Sequence, residues 1–145
     1  MSQINTQYLP LAVSEEAWLV MQEDAEARFP NECCGFFYGQ DSDDKRIISL
    51  ARPVTNSKDG DQRRRFEISA LDYLHAERFA TEQGLQLLGI YHSHPNHPAI
   101  PSEHDRKQAV PHFSYIILSI QEGTFDHLRS WQLNPEEQFE EEIVL

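Results

Sequence analysis

The chain has 145 residues, a length that suits one compact domain, since domains commonly run to roughly 100–200 residues. Its 24 acidic residues against 12 basic ones give a net charge of −12, which argues against a general binder of nucleic acid or anionic membrane, both negatively charged. The opening MSQINTQYLP lacks a charged-then-apolar signal pattern, no apolar run approaches the roughly 20 residues of a membrane span, and the adjacent pair Cys33 and Cys34 cannot close a useful disulfide loop, so a reducing cytoplasm is the expected setting.

Residues Ser14 to Phe29 read as a helix. Ser14 suits the N-cap, and Glu15 and Glu16 suit the positive first turn. Trp18, Met21, Ala25 and Phe29 recur at three and four residues and share a face. Pro30 stops the helix. Cys33 to Tyr38 is a short apolar run, consistent with a buried strand. Gln40 to Asp44 reads as a turn, Lys45 to Val54 as the partner strand, and Asn56 to Asp61 as a loop. Phe66 to Ile68 is expected to be a short strand.

Ser69 to Gln83 forms the second predicted helix, with Ser69 and Asp72 as a capping-box variant and Gly84 just past its end. Leu85 to His94 is a strand entering a proline-rich loop, Pro95 to Pro101. A short helix follows from Ser102 to about Val110. Phe113 to Ile120 is the clearest strand, and Glu122 and Gly123 mark a turn before a strand over His127 to Leu133. The tail from Asn134 is acidic, with Phe139, Ile143 and Val144 as its only expected anchors. Helices interspersed with strands predict an α/β fold, a mixed β-sheet flanked by helices. No internal repeat or linker divides the chain, so residues 1–145 are expected to form a single domain.

The chemistry concentrates in the segment YHSHPNHPAIPSEHD, Tyr91 to Asp105. Residues two apart on a strand point to one face, so His92 and His94 aim two imidazoles at one point, as a zinc ion requires. Asp105, one turn into the next helix, is the nearest carboxylate on a fixed element. Two histidines and one carboxylate leave a fourth tetrahedral position open, the catalytic rather than the structural pattern. Each piece also has a plainer reading. A lone H-x-H is often a pair of surface histidines, and Ser102-x-x-Asp105 is a capping-box pattern that starts a helix. Glu32, at the start of the first buried strand, is a candidate general base, and the Ser102 hydroxyl a candidate donor to an oxyanion. His97 and His104 lie nearby as loop residues or extra ligands. His75, His112 and His127 are scattered and read as structural. Cys33 and Cys34 alternate across a strand, so at least one is a small core residue, with a reactive thiol as the other reading. Arg63 to Arg65 read as a solvated charge run, or as a cluster that steers an acidic tail.

Together these residues carry a resemblance. Glu32 upstream, then His92-Ser93-His94-Pro95, seven residues, and Ser102-x-x-Asp105 resemble the motif of the JAMM (MPN-plus) zinc metallopeptidases, with every motif position filled at the expected spacing. The surrounding Pro30-Asn31-Glu32-Cys33-Cys34-Gly35, Gly89-Ile90-Tyr91 and Asn96-His97-Pro98-Ala99 look like the small bacterial, sulfur-carrier-processing branch, and the recognisable core covers about residues 10–133, leaving the acidic tail 134–145. The resemblance implies a cytidine-deaminase-like MPN/JAMM fold, with one zinc ion held by His92, His94 and Asp105. It implies that Glu32 activates water and that Ser102 stabilises the oxyanion. It also implies cleavage after the C-terminal glycines of a ubiquitin-like sulfur-carrier protein, the expected partner. A non-catalytic docking domain of the same fold, which typically lacks motif residues, and a zinc hydrolase acting on a different amide are the alternatives. A deaminase is disfavoured because the chain has no C-x-x-C.

Overall fold

The computed structural model describes residues 8–145, so the signal-pattern reading of the first seven positions lies outside the described residues. The elements are β1 (Leu11–Val13), α1 (Glu15–Arg28), β2 (Cys34–Asp41), β3 (Arg46–Val54), α2 (Ala70–Gln83), β4 (Gln86–Pro95), α3 (Glu103–Gln108), β5 (Ser114–Gln121), β6 (Thr124–Leu133) and β7 (Phe139–Glu142). The strands form one seven-stranded sheet in the order β1-β3-β2-β4-β5-β6-β7. β1 runs parallel to β3 and β4 parallel to β5, while the other pairs are antiparallel. This is the expected mixed α/β sheet flanked by helices.

Local sequence explains the helix boundaries. The Ser14 side chain accepts the Ala17 N–H to cap α1, and Ser69 does the same for Asp72 N–H at the start of α2. Gly84 ends α2 in the left-handed conformation with φ 67°, which costs a residue without Cβ little.

The sheet separates two cores. Met21, Ala17 and Ala25 of α1 pack with Cys33, Phe37, Tyr91, Ile116 and Leu118 on one face. On the other, Ala76 and Ala80 of α2 pack with Cys34, Phe36, Tyr38, Ile90 and Tyr115. Ala17 takes the fully buried place expected of Trp18, whose ring is half-buried and meets Phe125 edge-on at 5.3 Å. β4 is the central strand, and from Leu88 to Pro95 every residue is buried. The alternation along it sends Ile90, His92 and His94 to the α2 side and Tyr91 and Ser93 to the α1 side. Gly89 lets β5 approach, since a Cβ there would lie 1.9 Å from the Ser114 carbonyl oxygen.

Three expectations require correction. Strand β2 continues through Gln40 to Asp41, so the turn begins later than the polar composition suggests. Residues 66–68 form no strand. Both neighbours of β3 and of β2 are already taken in the sheet, and Phe66 instead inserts its ring into the second core. The Ile143 side chain does not anchor the tail, since the residue is 56% exposed. The tail supplies β7, whose Glu142 is buried and accepts hydrogen bonds from Ser114 Oγ (2.9 Å), Ser130 Oγ (2.7 Å) and Gln132 Nε2 (2.8 Å). Val144 then bridges to Leu11, which joins β1 to the far end of the chain.

Candidate metal centre

The site forms where β4 ends. His92 and His94 project from its last turn of pleat onto one face, and their ring centroids are 5.2 Å apart. The antiparallel register between β2 and β4, with Cys34 opposite His92, carries the residue two before Cys34 to a place across from His94. That residue is Glu32. Its neighbourhood is fixed by Cys33 N–H donating to the buried Ser93 hydroxyl at 2.8 Å. Asp105 arrives from α3. Ser102 caps this helix, accepting Asp105 N–H at 3.0 Å, while Asp105 Oδ2 accepts Ser102 N–H at 2.9 Å. The capping box expected from Ser-x-x-Asp is therefore present, and the same aspartate also faces the histidines. The helix cap and the approach to the histidines thus belong to one residue.

Asp105 Oδ2 lies 3.2 Å from His94 Nε2 and 3.9 Å from His92 Nε2. Ligand atoms of a tetrahedral zinc ion, bound at about 2.0–2.1 Å, sit about 3.3 Å apart. Among the described residues, His92, His94 and Asp105 form the cluster able to hold a metal ion, with ligand atoms all within 4.8 Å of one another. A second observation fits the same reading. Glu32 Oε1 and His92 Nδ1 are buried polar atoms without a hydrogen-bond partner, though they face each other at 3.7 Å. Buried polar atoms are rarely left unpaired without a functional reason. His97 and His104 do not join the cluster. His97 is exposed, and His104 pairs with Gln108 at 2.8 Å.

Electrostatics ties the three groups together. Burial alone would raise the Asp105 pKa, but His92, His94 and the Ser102 N–H hold it well below the usual carboxylate range. Burial pulls the His94 pKa down, yet the hydrogen bond and charge of Asp105 outweigh it and the net shift is upward. The thiols beside Glu32 go the other way. Burial, with Asp24 nearby, pushes Cys34 up to about 12 and raises Cys33 well above its ordinary value too. Both are protonated core residues rather than reactive thiolates.

The loop after β4 completes the site. His94 Nδ1 contacts the Pro98 carbonyl at 2.9 Å, which orients the ring so that Nε2 faces Asp105, the outer-partner arrangement usual for metal-ligating histidines. The loop is pinned in turn. Ala99 N–H donates to His127 Nε2 (3.1 Å), Trp131 Nε1 donates to the Ala99 carbonyl (3.0 Å), and Ser119 Oγ donates to the His97 carbonyl (2.6 Å). His127 itself is set by Asp126 at its Nδ1 (2.6 Å). Sequence reasoning read His127 as merely structural and did not assign Trp131 at all, because their partner lies 28 or more residues away and no local pattern marks it.

Glu32, His94, Ser102, Pro98, Ile100 and Arg64 line a cleft of about 470 Å³. Arg64 belongs to the run Arg63–Arg65, read from sequence as solvated or steering. The structure divides that run, with Arg63 held by Asp61 at 3.3 Å and Arg64 on the cleft wall.

Residues 14–134 match the family described as prokaryotic homologs of the JAB domain. The chain is 31% identical over 99 residues to a Haloferax volcanii protein named desampylase, covering 68% of this chain and 69% of that one. It is 32% identical over 115 residues to a Thermus thermophilus protein named a probable TtuB-protein conjugate cleaving protease, covering 77% of this chain and 68% of that one. A solution structure of a Desulfitobacterium hafniense protein superimposes with a TM-score of 0.81 at 27% identity, covering 93% of this chain and 91% of that one. With the fold, the register that brings Glu32 to the histidines, and a family match spanning most of its length, this chain belongs to the prokaryotic JAB-domain family.

Proposed function

We propose that this protein is a zinc-dependent peptidase and isopeptidase that hydrolyses the amide bond following the C-terminal glycines of a ubiquitin-like sulfur-carrier protein. One observation carries the reading: a buried His92–His94–Asp105 cluster with an unpartnered Glu32 carboxylate oxygen beside it. The two relatives, one named desampylase and the other a probable TtuB-protein conjugate cleaving protease, support cleavage at a protein's attachment point as the substrate class. No described helix is long and apolar enough to cross a membrane. Two buried free cysteines accord with a reducing cytoplasm as the working compartment.

His92, His94 and Asp105 would hold the ion, with His94 kept in register by Pro98. When bound, zinc supplies Lewis acidity and makes water a nucleophile at neutral pH. Glu32 accepts the proton of the attacking water on its free Oε1 and delivers it to the leaving nitrogen as the carbon–nitrogen bond breaks. Its burial among apolar strand residues keeps that oxygen from being held by other donors. The Ser102 oxygen already accepts Asp105 N–H, so its hydroxyl proton is available to the oxyanion that develops on the carbonyl carbon's oxygen.

The test combines metal analysis with mass-spectrometric cleavage of a ubiquitin-like carrier extended beyond its terminal glycines. The expected result is one zinc per chain and cleavage after the glycine pair, abolished by chelation. Glu32→Gln should keep zinc and lose turnover. Asp105→Ala should lose zinc. Normal activity in Glu32→Gln would remove that residue as the base, and unchanged zinc affinity in Asp105→Ala would remove it as a ligand.

A further inference from the structure

The metal centre lies on the α2 side of β4, and a polar cluster lies behind it on the α1 side, where the pleat sends Tyr91 and Ser93. The Tyr91 hydroxyl donates to Asp24 Oδ2 at 2.8 Å. Asp24 belongs to α1, and its side chain is only 9% exposed. The Cys33 side chain interacts with both the Asp24 carboxylate and the Ser93 hydroxyl. The Cys33 backbone is tied to Ser93 twice over, its N–H donating to the hydroxyl at 2.8 Å and its carbonyl accepting Ser93 N–H at 3.3 Å. Asp24 thereby joins three elements: α1, the entry to β2 and the end of β4.

Stability does not account for a carboxylate in this place. Its surroundings are otherwise apolar, with Met21, Ala25, Phe37 and Ile116 in the same core. Burial raises the Asp24 pKa, and the Tyr91 hydroxyl and Arg28 only partly offset it. A carboxyl group whose pKa is raised by folding works against the fold once it is ionised at neutral pH. An apolar pair of the same shape would hold the core about as well. What such a pair lacks is direction, since a hydrogen bond fixes distance and angle, and a satisfied buried network makes its surroundings rigid.

Each residue that the cluster holds is the chain neighbour of a site residue. Cys33 follows Glu32, Tyr91 precedes His92, and Ser93 separates the two histidines. His92 and His94 share a strand and move together. Glu32 comes from another segment, so its distance from them depends on how the entry to β2 is held against the end of β4. Its own Oε1 has no donor to fix it, at 3.7 Å from His92 Nδ1. We propose that Asp24 is a positioning residue which, through Tyr91, Cys33 and Ser93, sets the place of the Glu32 carboxylate relative to the histidine pair. The inference rests on the peptidase reading above, in which Glu32 must meet the attacking water.

The experiment uses the zinc-loaded full chain and a ubiquitin-like carrier extended beyond its terminal glycines. In Asp24→Leu/Tyr91→Phe both partners become apolar at similar size, so the melting temperature should stay within a few degrees of wild type. With Glu32 released from its place, kcat should fall roughly 10–100-fold. KM and zinc affinity should hold, because the histidines remain on one strand. Hydrogen exchange at the Cys33 N–H, followed by NMR, should quicken while exchange in β6 is unaltered. Tyr91→Phe alone, which removes one oxygen atom, should show the same split at smaller size. Asp24→Asn, which keeps an acceptor for the Tyr91 hydroxyl, should retain most of kcat. A double variant with the kcat of wild type, or one whose kcat falls only in step with melting temperature and zinc content, overturns the positioning role and leaves the peptidase reading intact. Absence of cleavage by wild type removes the peptidase reading and this inference with it.

Discussion

His127→Ala tests whether the loop after β4 aims a metal ligand or merely adds stability. The substitution deletes the acceptor for Ala99 N–H. Ala99 is fully buried, and a buried N–H left without a partner costs about 1–3 kcal/mol. The His127 side chain is 38% exposed, so water can enter the space it leaves. That places the expected cost at the lower part of the range, about 1–2 kcal/mol, or about 5–30-fold in an equilibrium. The strain is relayed over a short path. Ala99 adjoins Pro98, whose carbonyl holds His94 Nδ1. If that hold is what keeps His94 Nε2 on the cluster, zinc affinity should fall by a comparable factor, within the 10–100-fold typical of lost outer partners. Titration of zinc against a chromophoric chelator measures the affinity, and melting of the chelated protein measures stability separately. His127→Gln, which keeps an acceptor, should recover most of the affinity. A His127→Ala protein that melts earlier but binds zinc as wild type does would refute the argument, and would limit the loop to a stabilising role.

Removing zinc from the loaded protein should lower its melting temperature by several degrees. An ion present at 100 times its Kd contributes about 2.7 kcal/mol, and scanning calorimetry with and without chelator checks this. Gly89→Ala should destabilise by about 3 kcal/mol, the upper end for overpacking, because the added Cβ meets backbone rather than a movable side chain; a melting temperature within 2 °C of wild type, roughly 0.5–1 kcal/mol, would contradict it. Burial raises the Glu142 pKa despite the hydrogen bonds from Ser130, Gln132 and Ser114. The folded state thus holds this proton more tightly than the unfolded chain, and the contribution to stability present below pH 4.5, its ordinary value, is lost as pH rises through the folded pKa. Denaturant titrations across that window should show the decline in wild type and a flatter profile in Glu142→Gln, and parallel profiles would exclude Glu142 as its source.

What could be read from sequence follows the range of the interactions involved. Ser14 and Ser69 were legible because a cap acts over three residues. The grouping of His92 with His94 was legible from the period of a strand, and Asp105 from its place one turn into the next helix. Glu32 is different. Only the register between β2 and β4 brings it to His94, 62 residues along the chain, which no local pattern reveals; its place at a strand start made it no more than a candidate base until the resemblance of the whole motif gave it a role. Glu142 was hidden for the opposite reason. It stands among four other acidic residues in 136–141, and such a run reads as solvated. Nothing local distinguishes the one carboxylate that meets two serine hydroxyls and a glutamine. Phe66 misled because an apolar residue between polar ones fits a strand, while the sheet had no vacant neighbour to offer it.

The contact between Leu11 and the residues after β7 has a consequence for self-association. Leu11 N–H donates to the Ile143 carbonyl, and Leu145 N–H donates to the Leu11 carbonyl, each at 2.8 Å. The outermost strands of the sheet are thereby stitched to one another rather than left as open rows of donors and acceptors, the usual template for intermolecular strand pairing. Clipping the chain before Ile143 would expose both rims at once. A protein shortened there is therefore expected to begin forming soluble oligomers in size-exclusion chromatography before it loses its zinc, since the rims lie apart from His92 and His94 in the strand order.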